Sequence, residues 1–141
     1  MSALDQNLEK LRGYLERFQS TGIQNRINGQ DCVGAGGVFQ TRSPVDKSAI
    51  CDVARGTERD IDAAADAAHA AFPAWRDMSA AERRKILLRV ADAIEARAEE
   101  IALCECWDTG QTLRFMSKAA LRGAENFRYF ANQIVGARDG Q

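Results

Sequence analysis

At 141 residues, with 45% apolar, 28% charged and 7% aromatic side chains, the chain has the arithmetic of one soluble domain or of part of a larger one. Eleven Gly and two Pro exclude a collagen-like or linker-like bias, and no apolar run approaches the ~18 residues of a membrane span. Nineteen basic side chains against twenty acidic ones leave a net charge of -1, too little positive field to gather phosphates, so neither nucleic acid nor membrane is an expected partner.

Met1 to Thr21 lacks the apolar centre of a signal peptide, and Asp5, Glu9 and Glu16 argue against an organellar transit sequence, so the expected location is the cytoplasm. Leu4, Leu8, Leu11, Leu15 and Phe18 recur at steps of four and three, drawing one apolar stripe on a helix that Ser2 and Asp5 can cap and Thr21-Gly22 stops. Residues 1–22 are therefore expected to be an amphipathic helix docked on the body of the protein, with 23–141 forming the rest.

From Ile23 to Glu58 the helical period disappears. Asn28-Gly29 supplies the positive φ angles of a tight turn, so Gln24–Ile27 and Gln30–Val33 are expected to pair, and Val38–Arg42 and Ala49–Ala54 to form further short strands. Gly34-Ala35-Gly36-Gly37 resembles a phosphate loop only superficially: Phe39 stands where a dinucleotide fingerprint needs Gly, and no helix starts there, so a plain hairpin turn is expected.

Thr57 with Asp60 makes a capping box, followed by Ile61, Ala64, Ala65, Ala68 and Phe72 at helical spacing, with eight alanines between Ala63 and Ala74 and Pro73 as the expected end. Ser79 with Glu82 makes a second box. Leu87, Val90, Ala91, Ile94, Ala98, Ile101 and Ala102 then hold one face for over four turns before Gly110 closes the helix. A last helix is expected over about Ser117 to Gln133, too apolar to be a free surface helix.

Spacing alone identifies no catalytic site. Cys32, Cys51, Cys104 and Cys106 contain no C-x-x-C pair and share one His, so they read as reduced, packed thiols. His69 has no nucleophile and orienting carboxylate nearby in sequence. Arg83-Arg84-Lys85 reads as a solvated surface, and the i,i+4 pairs Asp62/Asp66 and Glu95/Glu99 as mild repulsions on exposed faces.

Taken in order, these pieces resemble the N-terminal segment of the NAD(P)-dependent aldehyde dehydrogenase superfamily from about Ile23 to Gln141. Ile27-Asn28-Gly29 looks like the family's opening hairpin, Ser43-Pro44-Val45-Asp46 like its N-P-x-T/D turn, and Ile50 to Gly56 like the strand after it. Asp60 to Trp75 is similar to the first helix, Arg83 to Ala102 to the second, and Asp108-Thr109-Gly110-Gln111 takes the place of D-x-G-K/Q. Arg122 to Ala131, then Ala137 to Gly140, looks most like the muconic-semialdehyde branch, which includes the 5-carboxymethyl-2-hydroxymuconate semialdehyde dehydrogenases of aromatic catabolism.

The resemblance implies an α/β family fold of which this chain is a mainly helical N-terminal portion with a small antiparallel hairpin region, an incomplete part of the cofactor-binding domain. It implies NAD as cofactor of the complete enzyme, with the nucleophilic Cys, general-base Glu, oxyanion Asn and cofactor turn all downstream, so that this chain carries no catalytic or cofactor-binding residue. It places a substrate carboxylate at Arg122, which a surface Arg would equally explain. It places a structural monovalent cation at the main-chain oxygens of Thr41 and Arg42 and the carboxylate of Asp108, which could instead be a local helix-end cap. The implied partners are the rest of the dehydrogenase polypeptide or its subunits and a carboxylated semialdehyde. A non-catalytic interaction module or split subunit is the competing reading.

Overall fold

The computed structural model describes residues 1–137; the Arg138-Asp139-Gly140 part of the last motif, and Gln141, lie outside the described residues. Among the described residues, five helices and four strands follow in the order α1 (Ala3–Thr21), β1 (Asn25–Ile27), β2 (Gln30–Cys32), β3 (Val38–Arg42), β4 (Ala49–Ala54), α2 (Glu58–Asp77), α3 (Ala80–Ala96), α4 (Ala98–Thr109) and α5 (Leu113–Gln133). They fall into two compact units, Met1–Pro73 with Trp107–Gly110, and Ala74–Cys106 with the chain from Gln111 onward.

In the first unit, Ser2 and Asp5 form the expected reciprocal capping box at the start of α1, and the Gly22 N–H donates to the Phe18 carbonyl at its end. α1 packs on β4, so the C-terminal half of its stripe is covered: Leu11 and Leu15 are buried with Ile50, Cys51 and Ala54, while Leu4 stays exposed. Ile23 adds a single parallel bridge to β4, donating to Asp52 O at 2.8 Å and accepting from Ala54 N at 2.7 Å.

β1 and β2 pair antiparallel across Asn28 and Gly29, whose φ angles of 50° and 73° give the tight turn that the Asn-Gly pair predicts. β3 and β4 pair separately, so the described strands make two two-stranded sheets. The glycine segment 34–37 therefore joins two hairpins and is not the turn of one. It runs tightly past Arg55: a Cβ on Gly36 would collide with the Arg55 carbonyl, and Gly34, at φ 71°, has Asn25 Nδ2 at 2.8 Å from its would-be Cβ.

Thr57 and Asp60 cap α2 reciprocally, with Asp60 Oδ2 2.8 Å from Thr57 N and 2.7 Å from Thr57 Oγ1. Pro73 does not end this helix, which continues to Asp77. A proline removes one i→i−4 bond without forcing termination, and here the end is made by a side chain instead. Arg83 Nη1 donates toward the carbonyls of Trp75, Arg76 and Met78, so the basic run is not merely solvated surface.

The second unit is built on α3 and α5. Their side-chain contacts show that they run antiparallel: Arg84 reaches Asn132, while Arg128 reaches Asp92 and Glu95. The face between them is made of small residues, with Ala91, Ala124 and Ala131 fully buried and Ala120 5% exposed. Small side chains let two backbones approach closely and interdigitate at high density.

Two helix boundaries differ from expectation. The face from Leu87 to Ala102 is split at Arg97, where the N–H turns to Ile94 O and Arg97 grips Glu100 with two bonds of 2.8 and 2.9 Å, starting α4. The apolar period continues across the break, so spacing could not show it. α5 starts at Leu113, before Ser117, and its N-cap Thr112 makes no side-chain cap bond, so no capping motif marks this start in the sequence.

The cap carboxyls carry a pH dependence. Asp5 is held below its ordinary range by the Ser2 N–H, Asp60 by the Thr57 hydroxyl, and Glu82 by the Ser79 hydroxyl. With folded-state pKa values depressed, their stabilisation is complete above the ordinary values of 3.8 for Asp and 4.5 for Glu and is lost as pH falls through the lower folded values. Helicity by circular dichroism should stay level from neutral pH down to about pH 4.5 and decline below it. Thr57→Ala should lower stability by ~1 kcal/mol at neutral pH in a urea titration; no change would show the cap to be idle.

Candidate functional site

The Thr41, Arg42 and Asp108 positions come together in the first unit. β3 ends in a register slip: Thr41 faces Cys51 and Arg42 faces Ala49, so Ile50 is passed over as a bulge. A bulge disrupts the ladder and re-aims local backbone groups. Thr41 Oγ1 donates to Asp108 Oδ1 at 3.1 Å across 67 residues of sequence, a partner that lies outside Asp108's own helix. The 43–48 turn supports this end. Buried Ser43 accepts the Val45 N–H through its hydroxyl at 3.2 Å and exchanges backbone bonds with Lys47 and Ser48. Gly110, at φ 75°, ends α4 with its would-be Cβ 3.0 Å from Pro44 Cγ, a contact that only Gly makes without strain. The Arg42 side chain is engaged elsewhere, with Gln40 Oε1 at 2.5 Å and Lys47 O at 3.2 Å.

The Thr41 hydroxyl and the Asp108 carboxylate meet as an oxygen-only pair with a single negative charge, and the Thr41 and Arg42 main-chain oxygens belong to the same strand end. That set suits a hard monovalent cation; a divalent ion usually draws on more carboxylates. Among the described residues, no three of His, Cys, Asp and Glu gather into a metal-binding group.

All four cysteines are free thiols. Burial pushes the Cys51 thiol up, and the charges of Asp108 and Asp52 add to this. Burial does the same to Cys106, with Glu105 adding to it. A thiol shifted upward stays protonated at neutral pH and is a poor nucleophile.

The glycine segment does not fit a dinucleotide. The N-terminus of α2 is occupied by its own Asp60, whose carboxylate takes Thr57 and the Ala35 N–H. An anion already fills the place where a phosphate would bind.

Arg122 lies in the second unit on α5. It is exposed and makes no ion pair among the described residues. Buried Ala120, Ala124 and Ala131 define the α3-facing side of the helix, and at about 100° per residue Arg122 falls on the opposite side. Arg128, which spacing did not single out, instead ties α5 to α3 through Asp92 at 2.9 Å and through Glu95. This corrects the reading of Glu95 as a free, mildly repelling carboxylate. His69 is exposed, as are Asp62 and Asp66. No helix among the described residues is long and apolar enough to cross a membrane.

The sequence pattern of the aldehyde dehydrogenase family matches residues 32–141. An EPTC-inducible aldehyde dehydrogenase of Rhodococcus erythropolis is 48% identical over 100 residues, which are 70% of this chain and 20% of that protein. The crystal structure of HpcC from Thermus thermophilus superposes with a TM-score of 0.88 at 35% identity, covering 95% of this chain and 26% of that one. PnpE, solved in complex with nicotinamide adenine dinucleotide, superposes at 0.79 with 37% identity, covering 82% of this chain and 24% of that one. The chain thus spans about a fifth of the length of the curated relatives it matches. A family match over most of the residues, carried by the same fold at these identities, makes this chain a member of the aldehyde dehydrogenase family and places it in the N-terminal segment of that fold.

Proposed function

We propose that this chain serves as the N-terminal portion of an NAD-dependent dehydrogenase that oxidises a carboxylated, muconic-type semialdehyde to the acid in cytoplasmic aromatic catabolism, and that it is inactive on its own. The observation that carries the substrate class is Arg122, exposed and without a carboxylate partner among the described residues, on the side of α5 away from the packed alanines. A guanidinium fork binds a carboxylate bidentately and keeps its charge when partly desolvated. Membership of the family and likeness to HpcC support the reading.

In the complete enzyme, bound NAD would supply a hydride acceptor for the oxidation of the substrate carbon. No residue of this chain is assigned to holding it, and no thiol here is assigned as nucleophile, since Cys51 and Cys106 are held in the protonated form. The chain contributes substrate orientation through Arg122 and a braced scaffold: Thr41, Arg42 and Asp108 hold a monovalent cation that links the end of β3 to the end of α4.

The expected result for the isolated 141-residue chain is neither aldehyde turnover nor NAD binding in a titration, with turnover restored on mixing with the remaining polypeptide of the dehydrogenase. Turnover by the chain alone would overturn the assignment. The interaction-module reading draws on Ile61, Phe115 and Phe130, apolar side chains more than 60% exposed. Stable association with a partner but no turnover in any mixture would favour it. For the cation, Na⁺ should raise the melting temperature above that in choline chloride of equal ionic strength, and Asp108→Asn should remove the difference. Equal melting in both salts for the unaltered chain would sink the site.

A further inference from the structure

The Asn28-Gly29 turn places a nucleophile and an electrophile side by side. Of the five asparagines, Asn7, Asn25, Asn28, Asn126 and Asn132, only Asn28 precedes glycine. The others precede Leu8, Arg26, Phe127 and Gln133, whose side chains crowd the backbone nitrogen next to the asparagine. In Asn7, Asn126 and Asn132 that nitrogen is also held in a helical ladder, and Asn25 has its amide nitrogen buried beside Gly34.

Gly29 differs on each count. Strand pairing stops at Ile27 and Gln30, so its N–H lies outside the ladder, and a Cβ built on it meets nothing within 4 Å. Asn28 is exposed, and its carboxamide makes no hydrogen bond among the described residues. Its φ of 50° lies in the left-handed region, which costs a residue with a Cβ and which local opening relieves. The hairpin opens easily. β1 and β2 share three residue pairs and no third strand, and their cross-strand ion pair, Arg26 with Asp31, is 65% and 64% exposed. A lone two-stranded hairpin is marginal in water, and an exposed ion pair adds little.

We propose that Asn28-Gly29 is a self-modifying site, which deamidates to isoaspartate and so disconnects β1 from β2. The Gly29 nitrogen loses its proton to solvent hydroxide and attacks Asn28 Cγ. A bond forms between that nitrogen and Cγ, the Cγ–Nδ2 bond breaks, and Nδ2 leaves as ammonia, taking a proton from water and regenerating hydroxide. Water then opens the five-membered imide. Cleavage between nitrogen and Cγ leaves an ordinary aspartate; cleavage between nitrogen and the Asn28 main-chain carbonyl carbon leaves isoaspartate, with the chain running through Cβ and Cγ. Either product adds one negative charge. Aspartate suits a two-residue turn as well as asparagine does, whereas isoaspartate lengthens the backbone by one carbon and breaks the pairing of Ile27 with Gln30.

The test ages the full 141-residue chain at mildly alkaline pH, beside the same chain in concentrated urea, until half of the urea sample has converted. Trypsin releases Ile27 to Arg42, in which Asn28 is the only asparagine, so a gain of one mass unit there reports the site. The folded chain should convert within about tenfold of the urea rate, because opening of the turn costs little. The other asparagines should trail Asn28 by about tenfold or more, since only glycine leaves the nitrogen open. Mildly acidic buffer should slow the conversion, because the nitrogen must lose its proton. An isoaspartyl methyltransferase, used as the probe, should label the aged chain and not the fresh one. The cross-strand NMR contact between Arg26 and Asp31 should vanish in the labelled species. Asn28→Gln should stop the conversion, and fresh Asn28→Asp, which carries the charge on an ordinary backbone, should keep the contact. An unconverted Asn28 in the folded chain, equal rates at both pH values, or conversion without labelling would each overturn the site. Survival of the contact after labelling, or its loss in fresh Asn28→Asp, would overturn backbone lengthening as the cause of hairpin opening.

Discussion

Replacing Ala124 by Leu is expected to lower the melting temperature of the α3–α5 unit by about 10 °C, roughly 2 kcal/mol. Ala124 is completely buried on α5, and Ala91 is completely buried on α3, the helix it packs against. Three extra carbons at such a position must push the helices apart or force strained rotamers, and a small domain has few kcal/mol to lose. The neighbouring residue provides the opposite sign. Gly123 is helical, and a Cβ built on it meets nothing within 4 Å, so Gly123→Ala should stabilise by ~0.5–1 kcal/mol by restricting the unfolded chain. Thermal melts of the two variants should separate in opposite directions. A tolerated Ala124→Leu would mean that the helices are loosely seated and that the alanine stripe is not a close-packed seam.

Arg122→Ala, made in a complete dehydrogenase carrying this segment, is expected to raise KM for carboxylated semialdehydes by about 10- to 100-fold, the ~1.5–3 kcal/mol of a hydrogen bond to a charged group. Uncharged aldehydes should be handled almost as before. Arg122→Lys should fall between, because an ammonium keeps the charge without the bidentate fork. Arg122 has no internal ion pair among the described residues, so its removal leaves no buried charge behind and the effect reports on the ligand. An equal loss with charged and uncharged aldehydes would show that the substitution disturbs α5 itself.

Some elements are legible in the sequence because their signals are local. The three capping boxes, at Ser2/Asp5, Thr57/Asp60 and Ser79/Glu82, each name a helix start through side chains three residues apart, and all three form. The Asn28-Gly29 turn and the bounds of β3 and β4 follow in the same way. Elements without a local mark are not. Thr112 starts α5 without a cap bond, Arg97 breaks a helix whose apolar period continues, and Pro73 lies in a helix that runs on to Asp77. Arg83, Arg84 and Arg128 are legible only as charges, because their partners are backbone carbonyls or side chains on another helix. Arg122 is legible in the sequence only as a charge on a helix, and only the buried alanines show which side of that helix it occupies.

By itself, the sequence determined where most helices and strands lie, and its ordered motifs pointed to the aldehyde dehydrogenase family, because capping, turn chemistry and apolar period act over a few residues. Tertiary structure decided which side chains meet. It joined Thr41 to Asp108 across 67 residues, filled the α2 N-terminus with Asp60 so that the glycine segment is no phosphate cradle, and tied Arg128 to α3 while leaving Arg122 unpaired among the described residues. The reason is physical: a hydrogen bond or ion pair depends on positions within about 3 Å, and spacing along the chain sets those positions only within a turn or a hairpin.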